Sequence, residues 1–316
     1  MGCGRAATAQ LEFERVRTLV TGAGGFVGTH LVRHLTVSGD DVVALDWHRD
    51  GIDITEPDEL MEAFLKAEPE AVYHLAGSSD VGGSWSEPRA TLLANALGTL
   101  NVLDASREVG VRRVLAVTSA DVYGRVTEDE LPLDEDQPVR PVTPYSASKV
   151  AAEALAQQAW LGYGLPVVRV RAFNHLGAGQ SDRFVAPSLA ARIARNERDK
   201  ENEVPIGNTS PLRDVTDVRD VVRAYRLLIH HGEAGDVYNV CSGQAVSVRE
   251  IAERLLGMAH HPMRLVSEPA LRRPVDIPVL VGDNSKLSQA TGWSPTIPLA
   301  TTLADVLADW RTRLKA

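Results

Sequence analysis

The chain of 316 residues contains two cysteines, Cys3 and Cys241. Neither has a partner at CxxC spacing, so neither a disulfide framework nor a zinc site is expected, and no other metal site is read from the sequence. A reducing cytoplasm is the simplest home for such a chain. It also lacks an uninterrupted apolar run long enough to span a bilayer, and its polar opening residues lack the apolar stretch of a secretory signal. Basic charge is in deficit: 33 Lys and Arg against 42 Asp and Glu leave a formal net charge of −9. That argues against a surface built to neutralise nucleic-acid phosphates. It does not exclude a small anionic ligand, because a few arginine forks can hold a diphosphate inside an acidic protein. Internal repeats and low-complexity tracts are absent too. What remains is the composition of a soluble globular protein, 44% hydrophobic and 24% charged, long enough to bury a substantial core without staples. Residues 1–15 read as a flexible leader.

The first half alternates β-branched apolar runs with segments of helical periodicity. Strands are expected at 16–21, 41–45, 71–75, 114–118 and 167–170, and helices at 28–38, 91–109 and 145–163. Such alternation predicts an α/β fold, a Rossmann-like doubly wound parallel sheet with right-handed crossovers. After about residue 174 prolines punctuate shorter segments. Residues 16–174 are therefore read as a dinucleotide-binding domain. Residues 175–316 are read as a smaller, mixed α/β substrate-binding lobe with late returns to the sheet, including a strand at 236–240. Amphipathic helices are expected at 248–259 and 299–314.

The first strand runs into Thr21-Gly22-Ala23-Gly24-Gly25-Phe26-Val27-Gly28. Gly22, Gly25 and Gly28 stand at GxxGxxG spacing, which suits a tight turn, close approach of backbone to a pyrophosphate and close helix–sheet contact. The following helix N-terminus offers free N–H groups to phosphates. Asp46 ends the second strand, 18 residues beyond Gly28, where a carboxylate can accept hydrogen bonds from the adenosine ribose. A carboxylate there repels the 2′-phosphate of NADP and favours NAD(H), although His48 and Arg49 nearby leave NADP(H) open. Asp53 and Ile54 are either contacts of the adenine edge or an ordinary loop polar residue and a core isoleucine.

Tyr145 and Lys149 are four apart at the start of a predicted helix, so both side chains share one face. An ammonium beside a phenol favours phenolate and lowers its pKa. Lys149 is also placed to hold the nicotinamide ribose. Ser119 ends the strand before that helix, and in open parallel sheets ligands bind outside the C-terminal strand ends. These three residues are the candidate catalytic set. Singly, each has a plainer reading: a turn serine, and a half-exposed surface pair.

The motifs TGAGGFVG (21–28), HLAG (74–77), NALGTLN (95–101), TSADVYG (118–124), PYSASK (144–149) and RAFNHLGAGQ (171–180) together resemble the extended short-chain dehydrogenase/reductase family, in its nucleotide-sugar (NAD-dependent epimerase/dehydratase) branch, across residues 16–313. The resemblance implies that Phe26, Val27, Leu75, Ala76, Gly77, Asn95 and His175 line the cofactor, and that the substrate is a nucleotide-diphosphate sugar. It implies a homodimer joined through a helical bundle. Dehydratases of this branch carry an Asp-Glu pair after the Ser/Thr. Here those positions are Ala120 and Asp121, so the acid that would expel the C6 hydroxyl is missing.

Segments 173–195, 211–225, 232–243 and 272–287 resemble the reductases of GDP-4-dehydro-6-deoxy-mannose within that branch. This implies C4-ketone reduction, with Asn174, Arg213 and Arg273 at the substrate diphosphate, Gln180 and Arg192 at the nucleotide, and Ser119 and Asp121 at the sugar. Arg192 is as readily a solvated ion-pair partner. The alternatives are a nucleotide-sugar 4-epimerase with retained NAD, a 4,6-dehydratase, and a non-catalytic dinucleotide-binding protein. Two departures bear on the sugar: Ala178 replaces the usual proline of GPGQ, and Gly82 and Gly83 stand together beside where the hexose belongs.

Overall fold

The computed structural model describes residues 15–271 and 277–315. Its strands are β1 (Arg17–Thr21), β2 (Asp41–Leu45), β3 (Ala71–His74), β4 (Arg113–Ser119), β5 (Val167–Ala172), β6 (Asn174–Leu176), β7 (Glu203–Ile206), β8 (Leu212–Asp217), β9 (Val237–Val240), β10 (Ala245–Ser247), β11 (Arg264–Ser267) and β12 (Val279–Leu280). Six of them form a parallel sheet in the order β2-β1-β3-β4-β5-β9. Every residue of β3 and β5 is buried, as expected of strands covered on both faces.

Two separate cores flank this sheet. On one face Leu31 and Leu35 of the helix Phe26–Val37 meet Val221, Val222 and Leu228 of the helix Val218–His231, and Leu287 of the helix Ser285–Thr291. On the other, Leu60 and Phe64 of the helix Pro57–Ala67 meet Val102 and Leu103 of the helix Gly98–Glu108, and Ala156 and Ala159 of the helix Pro144–Tyr163. The chain leaves β1 for β2 on one side and returns to β3 on the other. The crevice outside the C-terminal ends of β1 and β3 is thus a topological switch point, where such sheets bind ligands.

The remaining strands build a second layer. β8 pairs with β6 and β12 in parallel and with β10 antiparallel, while β7 pairs with β11. The helices Val185–Asp199, Val248–Leu256 and Leu299–Arg313 share a third core through Ile193, Ile251, Leu255, Leu303 and Leu307. β9 and the helices Val218–His231 and Ser285–Thr291 belong to the first sheet, so the chain crosses between layers more than once.

One helix differs from its expected form. The helix read over 91–109 is Pro88–Leu92, a π-helical turn at Leu93–Leu97, and then Gly98–Glu108. The extra residue of a π turn re-aims one side chain without ending the helix. Here that side chain is Asn95, which is 1% exposed.

Candidate active site

At the switch point lies a cleft of about 750 Å³. Gly22, Gly25, Phe26, Val27, Gly28, Asp46, Asp53, Ile54, Leu75, Ala76, Gly77 and His175 line one part of it. Ser119, Asp121, Tyr145, Lys149, Asn174, Gln180 and Arg213 line another. Asn95 and Arg192 do not line it. Arg192 donates instead to the Pro205 carbonyl and ties its helix to β7. Arg273 lies outside the described residues, as do residues 1–14 of the expected leader.

The Gly-rich loop leaves no room for a side chain at Gly22 or Gly28. Gly22 has a φ of +71°, and a Cβ there would stand 2.8 Å from the Ala76 nitrogen; a Cβ on Gly28 would stand 2.1 Å from the Gly22 carbonyl oxygen. The helix Phe26–Val37 is N-capped by Gly25 with no side-chain acceptor, so its first N–H groups face the cleft mouth uncapped, as an anion site requires. Asp46 accepts hydrogen bonds from Gly24 N and His48 N, each at 3.0 Å. Arg49 is engaged by Asp50 and by the Ala44 carbonyl.

Behind the loop sits a buried hydrogen-bonded chain that sequence reasoning did not assign. Thr99 Oγ1 donates to the Asn95 carbonyl at 2.6 Å, so toward His74 Nε2, at 2.9 Å, it acts as acceptor. His74 therefore carries its proton on Nε2, and Nδ1 accepts from Thr21 Oγ1 at 2.8 Å. Burial, helped by the Lys149 charge, pushes the His74 pKa down to about 3, so the ring stays neutral. The Asn95 carboxamide accepts from Ser78 N at 2.8 Å and donates to the Ser78 carbonyl at 3.1 Å and to Ser148 Oγ at 2.8 Å. The π turn thus fastens the loop after β3 to the helix that carries Tyr145 and Lys149.

That helix begins where its sequence dictates. Thr143 caps Ser146 N at 3.0 Å, Ser146 Oγ accepts from Thr143 N in return, and Pro144 takes the first turn. Tyr145 and Lys149 follow one turn apart, both buried. Glu153, one turn further, accepts from Arg171 Nη2 at 2.7 Å and from Thr118 Oγ1 at 3.2 Å. Arg171 also donates to Tyr123 Oη at 3.0 Å, whose hydroxyl donates to Asn239 Oδ1 at 2.7 Å. This buried network pins the helix to β4, β5 and β9.

The protonation state of Tyr145 differs from the expected one. Burial, with the Asp121 charge behind it, raises the phenol well above its ordinary range, and the hydrogen bond with Ser119 lowers it by less. Lys149 does not figure among the causes. Its ammonium donates to the Val117 carbonyl at 3.3 Å, lies 6.0 Å from the Tyr145 ring centre, and is itself pushed down to about 8 by burial. Tyr145 is thus a neutral proton donor.

The second layer closes the cleft from the other side. His175 stacks on Phe26 with ring centres 6.1 Å apart, and its Nδ1 donates to the Phe173 carbonyl at 3.0 Å; burial lowers its pKa. Gln180 donates to the His175 carbonyl at 3.2 Å, while its Oε1, also buried, has no partner among the described residues. Among the described residues no group of His, Cys, Asp and Glu could hold a metal, and no helix is long and apolar enough to cross a membrane.

Residues 49–306 match the family model described as GDP-mannose 4,6 dehydratase. The chain belongs to that family. Among curated relatives of this dehydratase family, the GDP-6-deoxy-D-mannose reductase of Pseudomonas aeruginosa is 40% identical over 302 residues, 95% of this chain and 98% of its own length. Among solved structures, that of RMD from Pseudomonas aeruginosa complexed with NADPH matches with a TM-score of 0.86 at 39% identity, covering 94% of this chain and 99% of its own. The Thermus thermophilus UDP-glucose 4-epimerase in complex with NAD matches with a TM-score of 0.84 at 28% identity, covering 93% and 98%. With these relatives, the chain is a nicotinamide-dependent oxidoreductase of the short-chain dehydrogenase/reductase type on a Rossmann fold. The glycine cradle and the uncapped helix N-terminus fit a dinucleotide.

Proposed function

We propose that this chain reduces the C4 ketone of a nucleotide-linked 4-keto-6-deoxy sugar of the GDP-4-dehydro-6-deoxy-mannose type. The observation that carries the reading is that the neutral Tyr145 phenol shares the cleft with Ser119 and Asp121, while the position between those two is the buried Ala120. Eliminating water across C5 and C6 calls for a separate acid and base, whereas reducing a ketone calls for one proton donor. The name and 40% identity of the Pseudomonas aeruginosa relative support the same direction.

A bound reduced nicotinamide supplies hydride to C4. Tyr145 gives its proton to the C4 oxygen, so ketone, hydride and proton balance to a secondary alcohol. Ser119 holds that oxygen in line with the phenol. Lys149, with a pKa near 8, returns a proton to the phenolate, and its donors beyond the one on Val117 suit the hydroxyls of the nicotinamide ribose. Asn174 and Arg213 would hold the diphosphate, joined by Arg273, and Gln180 would meet the nucleotide. Holding that end fixed positions C4, which lowers the barrier through orientation.

NADH is the proposed cofactor. Asp46 lines the cleft, where its carboxylate would repel a 2′-phosphate, and Arg49, three residues on, is already paired with Asp50. The assembly is proposed to be a homodimer. Leu92, Leu93 and Leu97 on one helix and Leu161 on its neighbour expose an apolar face of the kind that marks an interface.

Incubation with GDP-4-dehydro-6-deoxy-mannose and either NADH or NADPH, followed by NMR of the product, tests the reading. Stoichiometric oxidation of a cofactor and a new secondary alcohol at C4 are expected. Tightly retained NAD with no net turnover would favour the epimerase instead, and consumption of neither cofactor would overturn the reductase.

A further inference from the structure

Tyr225 lies on the helix Val218–His231, on the face of the sheet opposite the helix that carries Tyr145. Its residue surface is 0% exposed, yet it borders the cleft. Its hydroxyl has no hydrogen-bond partner among the described residues. Such a group costs free energy of the order of a lost hydrogen bond, about 1–3 kcal/mol; the hydroxyls of Tyr73 and Thr216 also lack a partner among the described residues, but neither borders the cleft. Val117, Ala172 and Phe26, which line the cleft and pack with Tyr225 in one core cluster, are apolar and offer its hydroxyl no side-chain partner.

The identity of its partner follows from what must lie there. Tyr225 and Tyr145 line the same cleft. Tyr145 marks the reacting oxygen, so the nicotinamide ring has to lie within hydride reach of the atom beside it. The adenine and phosphate ends belong to Asp46 and the Gly-rich loop. A ring seated against Val117 and Ala172 needs little from that surface except a partner for its carboxamide.

We propose that the Tyr225 hydroxyl is a cofactor-binding group that hydrogen-bonds the nicotinamide carboxamide and so sets which way the ring faces. This rests on the nicotinamide-dependent reading of the cleft. It gives the unpaired hydroxyl a partner that arrives only with the cofactor.

The test uses the full chain and its Tyr225→Phe variant, with NADH, NADPH and ADP-ribose titrated into each and dissociation constants taken from calorimetry. ADP-ribose carries the adenine and phosphates without the nicotinamide. Removing one neutral hydrogen bond should weaken NADH and NADPH roughly three- to tenfold and leave ADP-ribose unchanged. The ligand-free variant should melt at the same temperature as the parent or higher, because an unsatisfied polar group has been removed from the interior. Unchanged NADH and NADPH binding overturns the inference, as does equal weakening of all three ligands. A parent protein that binds none of them overturns the dinucleotide reading beneath it.

Discussion

Tyr145 meets Ser119 at the end of β4, while Lys149, one turn along the same helix, donates to the Val117 carbonyl at 3.3 Å. The phenol and the ammonium share a helix face yet serve different partners. Before ligand arrives the pair is a neutral acid beside a desolvated cation, rather than a phenolate stabilised by its neighbour.

If Tyr145 is the proton donor, Tyr145→Phe should lower kcat about 10²- to 10⁴-fold with cofactor binding nearly intact. Ser119→Ala should cost less, since the phenol stays in place. Steady-state rates with the 4-keto sugar check both, and a Tyr145→Phe enzyme of parental rate would remove the tyrosine from the chemistry.

Lys149 gives a pH signature in stability. Its folded-state pKa is near 8 against an unfolded value of 10.5. Between these the unfolded chain binds more protons, so stability should rise as pH climbs through that window. Lys149→Met should therefore be more stable than the parent at pH 7, with the advantage shrinking above pH 8 and gone near pH 10.5. Urea denaturation across that range reads the difference directly.

Asp46 decides cofactor choice if its carboxylate faces the ribose. Asp46→Asn removes the charge and keeps one acceptor oxygen, enough for either Gly24 N or His48 N. The ratio of kcat/KM for NADPH over NADH should rise roughly tenfold, the size of one screened charge–charge repulsion near a surface. A parent enzyme that prefers NADPH would show that the carboxylate turns away from the 2′ position.

Asn95 tests the π turn. It touches neither cleft nor substrate, so Asn95→Ala should act through what it holds, Ser78 and Ser148. Two or three buried hydrogen bonds are lost, and a melting temperature lower by several degrees is expected, at roughly 2–4 °C per kcal/mol for a chain of about this size. KM for the cofactor should rise more than kcat falls.

The proposed dimer predicts a light-scattering mass of twice the chain. Leu93→Glu together with Leu161→Glu should reduce it to the monomer while the far-ultraviolet circular dichroism is unchanged. A monomeric parent at micromolar concentration would contradict the proposal.

Much of the fold is readable in the sequence where the signal is local. The strand at Asp41–Leu45 and the helix from Pro144 follow from a β-branched run and from a Thr-Pro cap, both of which act over a few residues. The helices Pro57–Ala67 and Val218–His231 fall outside the expectations drawn from periodicity, although the first opens with proline and an acidic turn. The π turn is beyond reach: nothing in LANAL distinguishes it from ordinary helix, and the Ser78 and Ser148 groups that reward it are far away in sequence. The Arg192 side chain is ambiguous for the same reason, and in the fold it serves the Pro205 carbonyl.

By itself the sequence determined the alternation of strands and helices, the glycine cradle, and the order of Ser119, Tyr145 and Lys149. Each depends on backbone sterics or on spacing along one element. Only the tertiary structure decided the charge on Tyr145, the tautomer of His74, and that the buried hydroxyl of Tyr225 at the cleft has no partner among the described residues. Those properties depend on desolvation and on contacts between elements far apart in the chain, and neither quantity exists until the chain has folded.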